Sequence, residues 1–173
     1  GRPEVLKVLQ SQDMLPAITF IFSRAGCDGA LYQCLRSRMV LTSQEEAQQI
    51  KDIVDAGVEG IPEEDLQVLD FKRWREALSR GFAAHHAGML PAFRHIVEDL
   101  FVRGLVRAVF ATETLALGIN MPARTVVLEK LIKFNGEAHV DLTPGQYTQL
   151  TGRAGRRGID TLGNAVVQWA PAM

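Results

Sequence analysis

Apolar residues follow two different spacings along this chain, and the two spacings alternate. Short, continuous apolar runs are typical of strands that are buried on both faces of a sheet. Five such runs occur, at Ala17–Ser23, Phe82–Ala84, Arg107–Ala111, Thr125–Leu128 and Ala165–Trp169. Segments with helical spacing lie between several of them. This alternation predicts an α/β domain with a mostly parallel central sheet flanked by helices.

Helices are predicted by apolar residues three and four positions apart and by residues that begin or end a helix. The clearest helix begins at Pro91, carries an apolar stripe from Phe93 to Phe101 and ends at Gly104. Ser43 and Glu46 have the spacing of a capping box, in which each side chain bonds the backbone N–H of the other residue. The remaining predicted helices are Cys27–Met39, Ser43 to a C-cap at Gly57, Leu66–Arg80, and one that begins at Thr143 with Pro144 and Gln146 in its first turn.

The charge of the chain is unevenly distributed. A length of 173 residues fits one domain or one piece of a larger enzyme, and its formal net charge is −1. A net charge so close to zero does not indicate a nucleic-acid partner. However, Ser43–Asp70 holds nine acids and one base, a charge of −8, and the other 18 bases and 11 acids sum to +7. We interpret residues 43–80 as an acidic helical insertion within a single domain of residues 1–173, and a surface outside it can be basic.

The two cysteines are expected to be free, buried thiols. Cys27 and Cys34 are seven residues apart, a rise of about 10.5 Å on one helix, which is too long for a disulfide. The sequence has no metal-type Cys/His spacing, no signal peptide and no apolar stretch that could span a bilayer. A reducing, cytoplasmic location without a membrane partner is therefore expected. Because Gly1-Arg2 is not a natural start, we also expect a piece of a longer protein.

The strongest candidate chemistry lies in Gln149–Gly158. This segment contains three arginines, three glycines and no acid. Arg153 and Arg156 share one face of a helical turn, and two guanidinium groups on one face suit a phosphate. A solvated basic turn is the alternative interpretation, although glycines between the arginines would then destabilise the helix without a compensating role.

Two further candidate sites follow predicted strands, where ligands of open α/β sheets bind. The loop Thr112–Pro122 contains two hydroxyls and a glycine, which suits either a phosphate site or an ordinary capped loop. His85 and His86 follow another strand, in a loop that either positions a polyanion or is a structural turn. Adjacent histidines chelate one metal poorly, so no metal is expected there. Trp74 and Trp169 are interpreted as packing residues rather than platforms for stacking bases.

The sequence lacks two motifs that a complete nucleotide site would require. It contains no G-x-x-x-x-G-K-[ST] phosphate loop, and it contains no Asp-Glu-x-His or Asp-Glu-x-Asp box to hold Mg²⁺. An arginine pair without a phosphate cradle acts on a phosphate that another surface holds. The sequence therefore predicts one half of a nucleotide site.

Four segments together carry a resemblance to a known family. FIFSR (Phe20–Arg24), AAHHAGMLP (Ala83–Pro91), ATETLALGINMPARTVV (Ala111–Val127) and TPGQYTQLTGRAGRRGID (Thr143–Asp160) resemble motif IV, the HHxGLLP segment, motif V and motif VI of the second RecA-like domain of superfamily-two DExH-box helicases. Met89 stands where that segment has its first Leu. The resemblance is closest to the superkiller type that works with RNA-degrading exosomes, in particular its actinobacterial members, and it covers about Leu15 to Trp169.

The resemblance implies a RecA-like three-layer fold and a role for each matching residue. It implies arginine fingers at Arg153 and Arg156, nucleotide coordination by Gln149, and a nucleotide-side position for Gly118 and Asn120. It also implies a path for single-stranded nucleic acid, with Thr112 contacting the backbone and four further residues along the same path, Ser23, Arg24, His86 and Gly88. ATP and Mg²⁺ would be held mainly by the first RecA-like domain, which is the implied partner of this one.

The function implied is that of the second half of the motor of an ATP-dependent RNA helicase, inactive without the first half. RNA-degradation machinery is a further implied partner. Two alternatives stay open at this point. The motifs do not separate RNA from DNA, since both are gripped by phosphate, and a non-catalytic helicase-like module could dock partners through the acidic helices of Ser43–Asp70.

Overall fold

A parallel sheet forms the centre of the computed structural model, which describes residues 1–112, 121, 123–131 and 164–170. Within those residues the sheet has five strands in the order β2-β3-β1-β4-β5, and every neighbouring pair is parallel. The strands are β1 (Ala17–Phe20), β2 (Phe82–His85), β3 (Ala108–Ala111), β4 (Thr125–Leu131) and β5 (Asn164–Ala170). All five predicted strands are confirmed, with boundaries shifted by one to three residues. The predicted α/β fold with a parallel sheet is confirmed as well.

Six helices are described: α1 (Arg2–Ser11), α2 (Arg24–Arg36), α3 (Gln44–Gly57), α4 (Glu63–Leu69), α5 (Phe71–Ser79) and α6 (Pro91–Val102). Every residue of β1, β2 and β3 is buried, as expected for strands that are covered on both faces. Helix α1 is not among the predicted helices. The predicted helix that begins at Thr143 lies outside the described residues. No helix among the described residues is long and apolar enough to cross a membrane.

The ends of two predicted helices show where local rules hold and where they fail. The capping box at α3 is confirmed, since Ser43 Oγ accepts from the Glu46 N–H at 3.1 Å and Glu46 Oε1 accepts from the Ser43 N–H at 2.9 Å. Gly104 follows α6 in the left-handed conformation with φ 77°, as predicted. The predicted C-cap at Gly57 is wrong, because Gly57 is the last residue of α3 and Val58 caps it. Its lack of a side chain serves packing instead, since a Cβ there would lie 2.9 Å from Cδ1 of Ile96.

The predicted helix over Leu66–Arg80 is wrong as a single element. Asp70 adopts the left-handed conformation with φ 57° and ψ 61°, and it separates α4 from α5. Aspartate tolerates that conformation better than most residues, so apolar spacing alone does not reveal the break. The two short helices meet at Asp70, and Phe71 and Trp74 pack with ring centroids 6.1 Å apart.

The acidic helices belong to the same core as the sheet. Ile50 and Val54 of α3 and Trp74 and Leu78 of α5 are buried in one cluster with the strands. The expectation that Trp74 is a packing residue is confirmed, since only 2% of it is exposed and Phe93 lies against it at 5.3 Å between ring centroids. The side chain of Trp169 lies outside the described residues. Cys27 and Cys34 are free and buried on α2, as predicted.

The register of the sheet aligns the carboxyl ends of three strands. Phe20 of β1 pairs with Ala111 of β3, and Ala111 pairs in turn with His85 of β2. The Ile21 N–H continues this ladder by donating to the Ala111 carbonyl oxygen at 2.9 Å. The loops that follow β1, β2 and β3 therefore lie side by side at one edge of the sheet, which we call the carboxyl edge.

Candidate functional site

The carboxyl edge brings together five of the ten predicted site residues. Ser23 and Arg24 follow β1, His86 and Gly88 follow β2, and Thr112 follows β3. The other five lie outside the described residues: Gly118, Asn120, Gln149, Arg153 and Arg156. The described part of the candidate site is thus the part that the sequence assigns to nucleic acid.

The loop after β1 turns directly into α2. Ser23 is the N-cap of that helix, and its Oγ accepts from the Gly26 N–H at 2.9 Å. The close approach requires a glycine, since a Cβ at Gly26 would lie 2.7 Å from the same Oγ. Arg24 is the first residue of α2, and its exposed guanidinium forms no hydrogen bond or ion pair with the residues that the structure describes. An unpaired cation beside a helix N-terminus can bind an anion.

The loop after β2 is organised around the ring of His86. The Gly88 N–H donates to Nδ1 at 3.1 Å, so Nδ1 carries the lone pair and the proton is assigned to Nε2. Nε2 in turn lies 2.9 Å from Oδ1 of Asp28 on α2. Both ring nitrogens are therefore used within the domain, and only 5% of His86 is exposed.

Gly88 joins the two loops. A Cβ at this position would lie 3.1 Å from Nδ1 of His86 and 3.3 Å from Cδ of Arg24. Both contacts are tight, so a side chain here would push the Arg24 stem and the His86 ring apart. The glycine keeps the Arg24 side chain against the loop after β2.

Thr112 lies at the same edge, after the strand that stands between β1 and β2. It directly follows β3 and is 8% exposed. The extension of the β1–β3 ladder to Ile21 places it beside the loop that carries Ser23. A hydroxyl group at such a position can donate to a phosphate oxygen.

His85 faces away from this edge, although it is next to His86 in sequence. It is 1% exposed, and neither ring nitrogen has a hydrogen-bond partner among the described residues. Its Nε2 lies 3.7 Å from Oε1 of Glu98 on α6. Burial, followed by the charge of Arg94, lowers the pKa of His85 to about 4. His85 is therefore a neutral core residue near neutral pH.

Asp28 is the member of this site that sequence reasoning missed. Asp28 is half-exposed on α2. Its carboxylate accepts from the ring of His86, which lies 58 positions later in the chain. No spacing rule connects residues so far apart, and an acid in the first turns of a helix is common for other reasons. Within the described ranges, no three His, Cys, Asp or Glu side chains are arranged to share a metal ion.

Comparison of the sequence with known proteins supports the resemblance that the motifs carry. Residues 63–158 match the model of the helicase conserved C-terminal domain. Over 171 residues, covering 99% of this chain, the sequence is 67% identical to the probable helicase HelY of Mycobacterium tuberculosis (strain ATCC 25618 / H37Rv). It is 40% identical over 163 residues, 94% of this chain, to two further proteins. These are the DExH-box ATP-dependent RNA helicase DExH11 of Arabidopsis thaliana and the human Superkiller complex protein 2.

The relatives are much longer than this chain. The aligned residues span 19% of the mycobacterial protein, 12% of the plant protein and 13% of the human one. The similarity to an actinobacterial member and to superkiller-type helicases is the relationship that the motifs predict. It extends across the acidic helices as well as the motif segments.

Proposed function

Because the chain belongs to the helicase conserved C-terminal domain family, we propose that it is the second RecA-like half of the motor of an ATP-dependent RNA helicase. The observation that carries this proposal is the alignment of 94% of the chain with helicases of the superkiller and DExH type. The parallel sheet and the edge that collects Ser23, Arg24, Gly88 and Thr112 support it.

The nucleotide side of the proposal rests on the sequence. The chain holds the arginine pair Arg153 and Arg156 but no phosphate loop and no DExH box. ATP with Mg²⁺ would be bound mainly by the first RecA-like domain. Closure of the two domains would bring both guanidinium groups against the transferring phosphoryl charge, with Gln149, Gly118 and Asn120 lining the nucleotide. Arginine fingers contribute about 10³–10⁵ in rate.

The nucleic-acid side rests on the carboxyl edge. Arg24 offers a cation with no partner among the described residues, Ser23 and Thr112 offer hydroxyls, and Gly88 lets the Arg24 side chain lie against the loop after β2. Such groups grip the phosphate backbone without reading bases, as a translocating motor requires. His86 would act by positioning, because both of its ring nitrogens bond to the domain itself. Opening after hydrolysis would then shift the bound strand.

RNA is the favoured substrate, and RNA-degradation machinery is the proposed partner. The plant relative is named as an RNA helicase, and the human relative is named Superkiller complex protein 2. Competition between RNA and DNA strands of the same sequence for the full-length protein tests the first point. Preferential displacement of RNA by DNA would contradict it.

The enzyme proposal is tested by Arg153→Ala and Arg156→Ala in the full-length protein. Each substitution should reduce RNA-stimulated ATP hydrolysis by at least about 10³-fold, because the transition-state charge loses its partner. Far-ultraviolet circular dichroism should remain unchanged. Arg36→Ala is the matched control, since Arg36 is an exposed arginine at the far end of α2. Wild-type turnover in both finger variants would contradict the assignment.

A further inference from the structure

A cleft of about 500 Å³ lies behind the carboxyl edge, between α2, the α4–α5 pair and the loop from β2 to α6. Its lining includes three acids and three aromatic residues, namely Asp28, Asp65, Asp70, Tyr32, Trp74 and Phe93. A concave site with aromatic walls and a few polar groups is the usual form of a binding pocket.

The rim of the cleft exposes apolar side chains. Val68 of α4 is 89% exposed and Leu90 is 43% exposed, and both line the cleft. None of the seven residues of α4 is buried. Leu66 and Leu69 of this helix pack partly against the core, whereas Val68 does not. An exposed apolar side chain that borders a cavity can contact a partner.

A buried hydrogen-bond donor in the wall has no acceptor within the part of the chain that the structure describes. Trp74 is 2% exposed, and its indole N–H has no hydrogen-bond partner among the described residues. Buried polar groups are almost always paired, and an unpaired one destabilises the folded state. A carbonyl oxygen that reached this N–H from the cleft, which Trp74 lines, would satisfy it.

The charge of the cleft excludes phosphate and favours a cation. No lysine or arginine is among the described residues that line it, although the Arg73 guanidinium lies 4.2 Å from the ring centroid of Tyr32, which does. Asp65 forms no ion pair with any residue that the structure describes, and the Asp70 carboxylate contacts only Arg73, at 3.5 Å between exposed groups. Glu63 and Glu64 add two further charges in the first turn of α4. A nucleic-acid backbone would be repelled here, whereas a guanidinium or ammonium group would be attracted.

We propose that this cleft binds a basic peptide segment of a partner protein, in which an arginine or lysine stands next to an aliphatic residue. The cation would pair with Asp65 and Asp70, and its aliphatic neighbour would cover Val68 and Leu90. A backbone carbonyl of the peptide would accept from Trp74 Nε1. His86 and Gly88 of the proposed RNA path also line the cleft, but the proposed contacts to the peptide are made by other residues, so the proposal does not depend on the helicase function.

Peptide selection tests the proposal directly. Random short peptides displayed on phage are selected against the full-length protein, and the enriched sequences are synthesised with a fluorescent label. We expect enrichment of a basic residue beside an aliphatic one. Binding should weaken about tenfold in the double variant Asp65→Asn/Asp70→Asn, since two partly exposed charge pairs are lost. Asparagine keeps the size and shape of aspartate at both positions. It also tolerates the left-handed conformation of Asp70.

The controls separate charge in the cleft from charge elsewhere. Glu45→Gln/Glu59→Gln removes the same charge from exposed sites outside the cleft and should leave the peptide affinity unchanged. Three outcomes would overturn the proposal: no enrichment of basic peptides, equal binding to both double variants, or displacement of the peptide by single-stranded RNA. A dimer in sedimentation that dissociates in Asp65→Asn/Asp70→Asn would also overturn it, in favour of a second copy as the occupant. ATP hydrolysis should be unchanged in both double variants. A negative result for peptide binding would therefore leave the helicase proposal intact.

Discussion

The Nε2 atom of His86 lies 2.9 Å from Oδ1 of Asp28, and the two residues are 58 positions apart in the chain. This contact ties the loop after β2 to α2, the helix that begins with Arg24. With the Gly88 N–H on Nδ1 at 3.1 Å, it fixes the plane of the ring. The geometry of the carboxyl edge therefore depends on a carboxylate that belongs to none of the helicase motifs.

Asp28→Ala should loosen this loop. The substitution leaves the His86 N–H without its acceptor in a site that is 5% exposed, which costs about 1–2 kcal/mol. Hydrogen exchange of the Gly88 amide, followed by mass spectrometry, should become about ten times faster. Asp52→Ala on the exposed face of α3 is the control. Unchanged protection of the loop in Asp28→Ala would show that the contact does not hold it.

Arg24→Ala should weaken RNA binding without changing sequence preference. Arg24 is an exposed cation with no partner among the described residues, so its proposed role is to neutralise one phosphate. The slope of log affinity against log salt should fall by about 0.7 for a single strand. Arg36→Ala, at the other end of the same helix, should leave that slope as it is. Equal slopes in the two variants would remove Arg24 from the nucleic-acid path.

His85 should make the domain less stable in acid. Its pKa lies near 4 in the folded state, below the ordinary 6.5, because of burial and the charge of Arg94. As the pH falls, the unfolded chain therefore binds the proton first. The contribution of neutral His85 to the free energy of unfolding is complete above pH 6.5 and is lost between pH 6.5 and 4. The loss is up to about 3 kcal/mol of unfolding free energy.

Thermal unfolding between pH 7.5 and 4.5 measures this effect. His85→Gln should flatten the dependence, since it keeps Glu98 and Arg94 in place and removes only the titrating ring. His95→Gln on the exposed side of α6 is the matched control and should retain the wild-type profile. The same pH profile in His85→Gln and the wild type would contradict the prediction.

The two cysteines should resist alkylation while the domain is folded. Burial raises the pKa of both the Cys27 and the Cys34 thiols to about 12. Because the thiolate is the nucleophile, reaction with iodoacetamide at pH 8 should be about 10³-fold slower than in the unfolded protein. Peptide mapping by mass spectrometry after timed alkylation, with and without urea, gives the ratio. Rapid labelling of either thiol without urea would contradict its placement in the core.

The secondary structure of this protein was largely predictable because its signals are local. A continuous apolar run such as Ala17–Phe20 reports burial on both faces, and the stripe from Phe93 to Phe101 reports a helix with one buried face. The capping box of Ser43 and Glu46 is another short-range pattern. The break at Asp70 was not predictable, because the apolar spacing continues across it and aspartate is also common in ordinary helices.

The motifs likewise determined the family from the sequence alone, since a motif is a set of residues at fixed spacing. Only the tertiary structure decided which of those residues meet. The register of β1, β2 and β3 brings Ser23, Gly88 and Thr112 to one edge, and the fold adds Asp28 as the partner of His86. It also separates His85 from His86, because neighbouring residues at the end of a strand face opposite sides of a sheet. Side-chain periodicity is encoded along the chain, whereas contacts between distant residues exist only after the chain has folded.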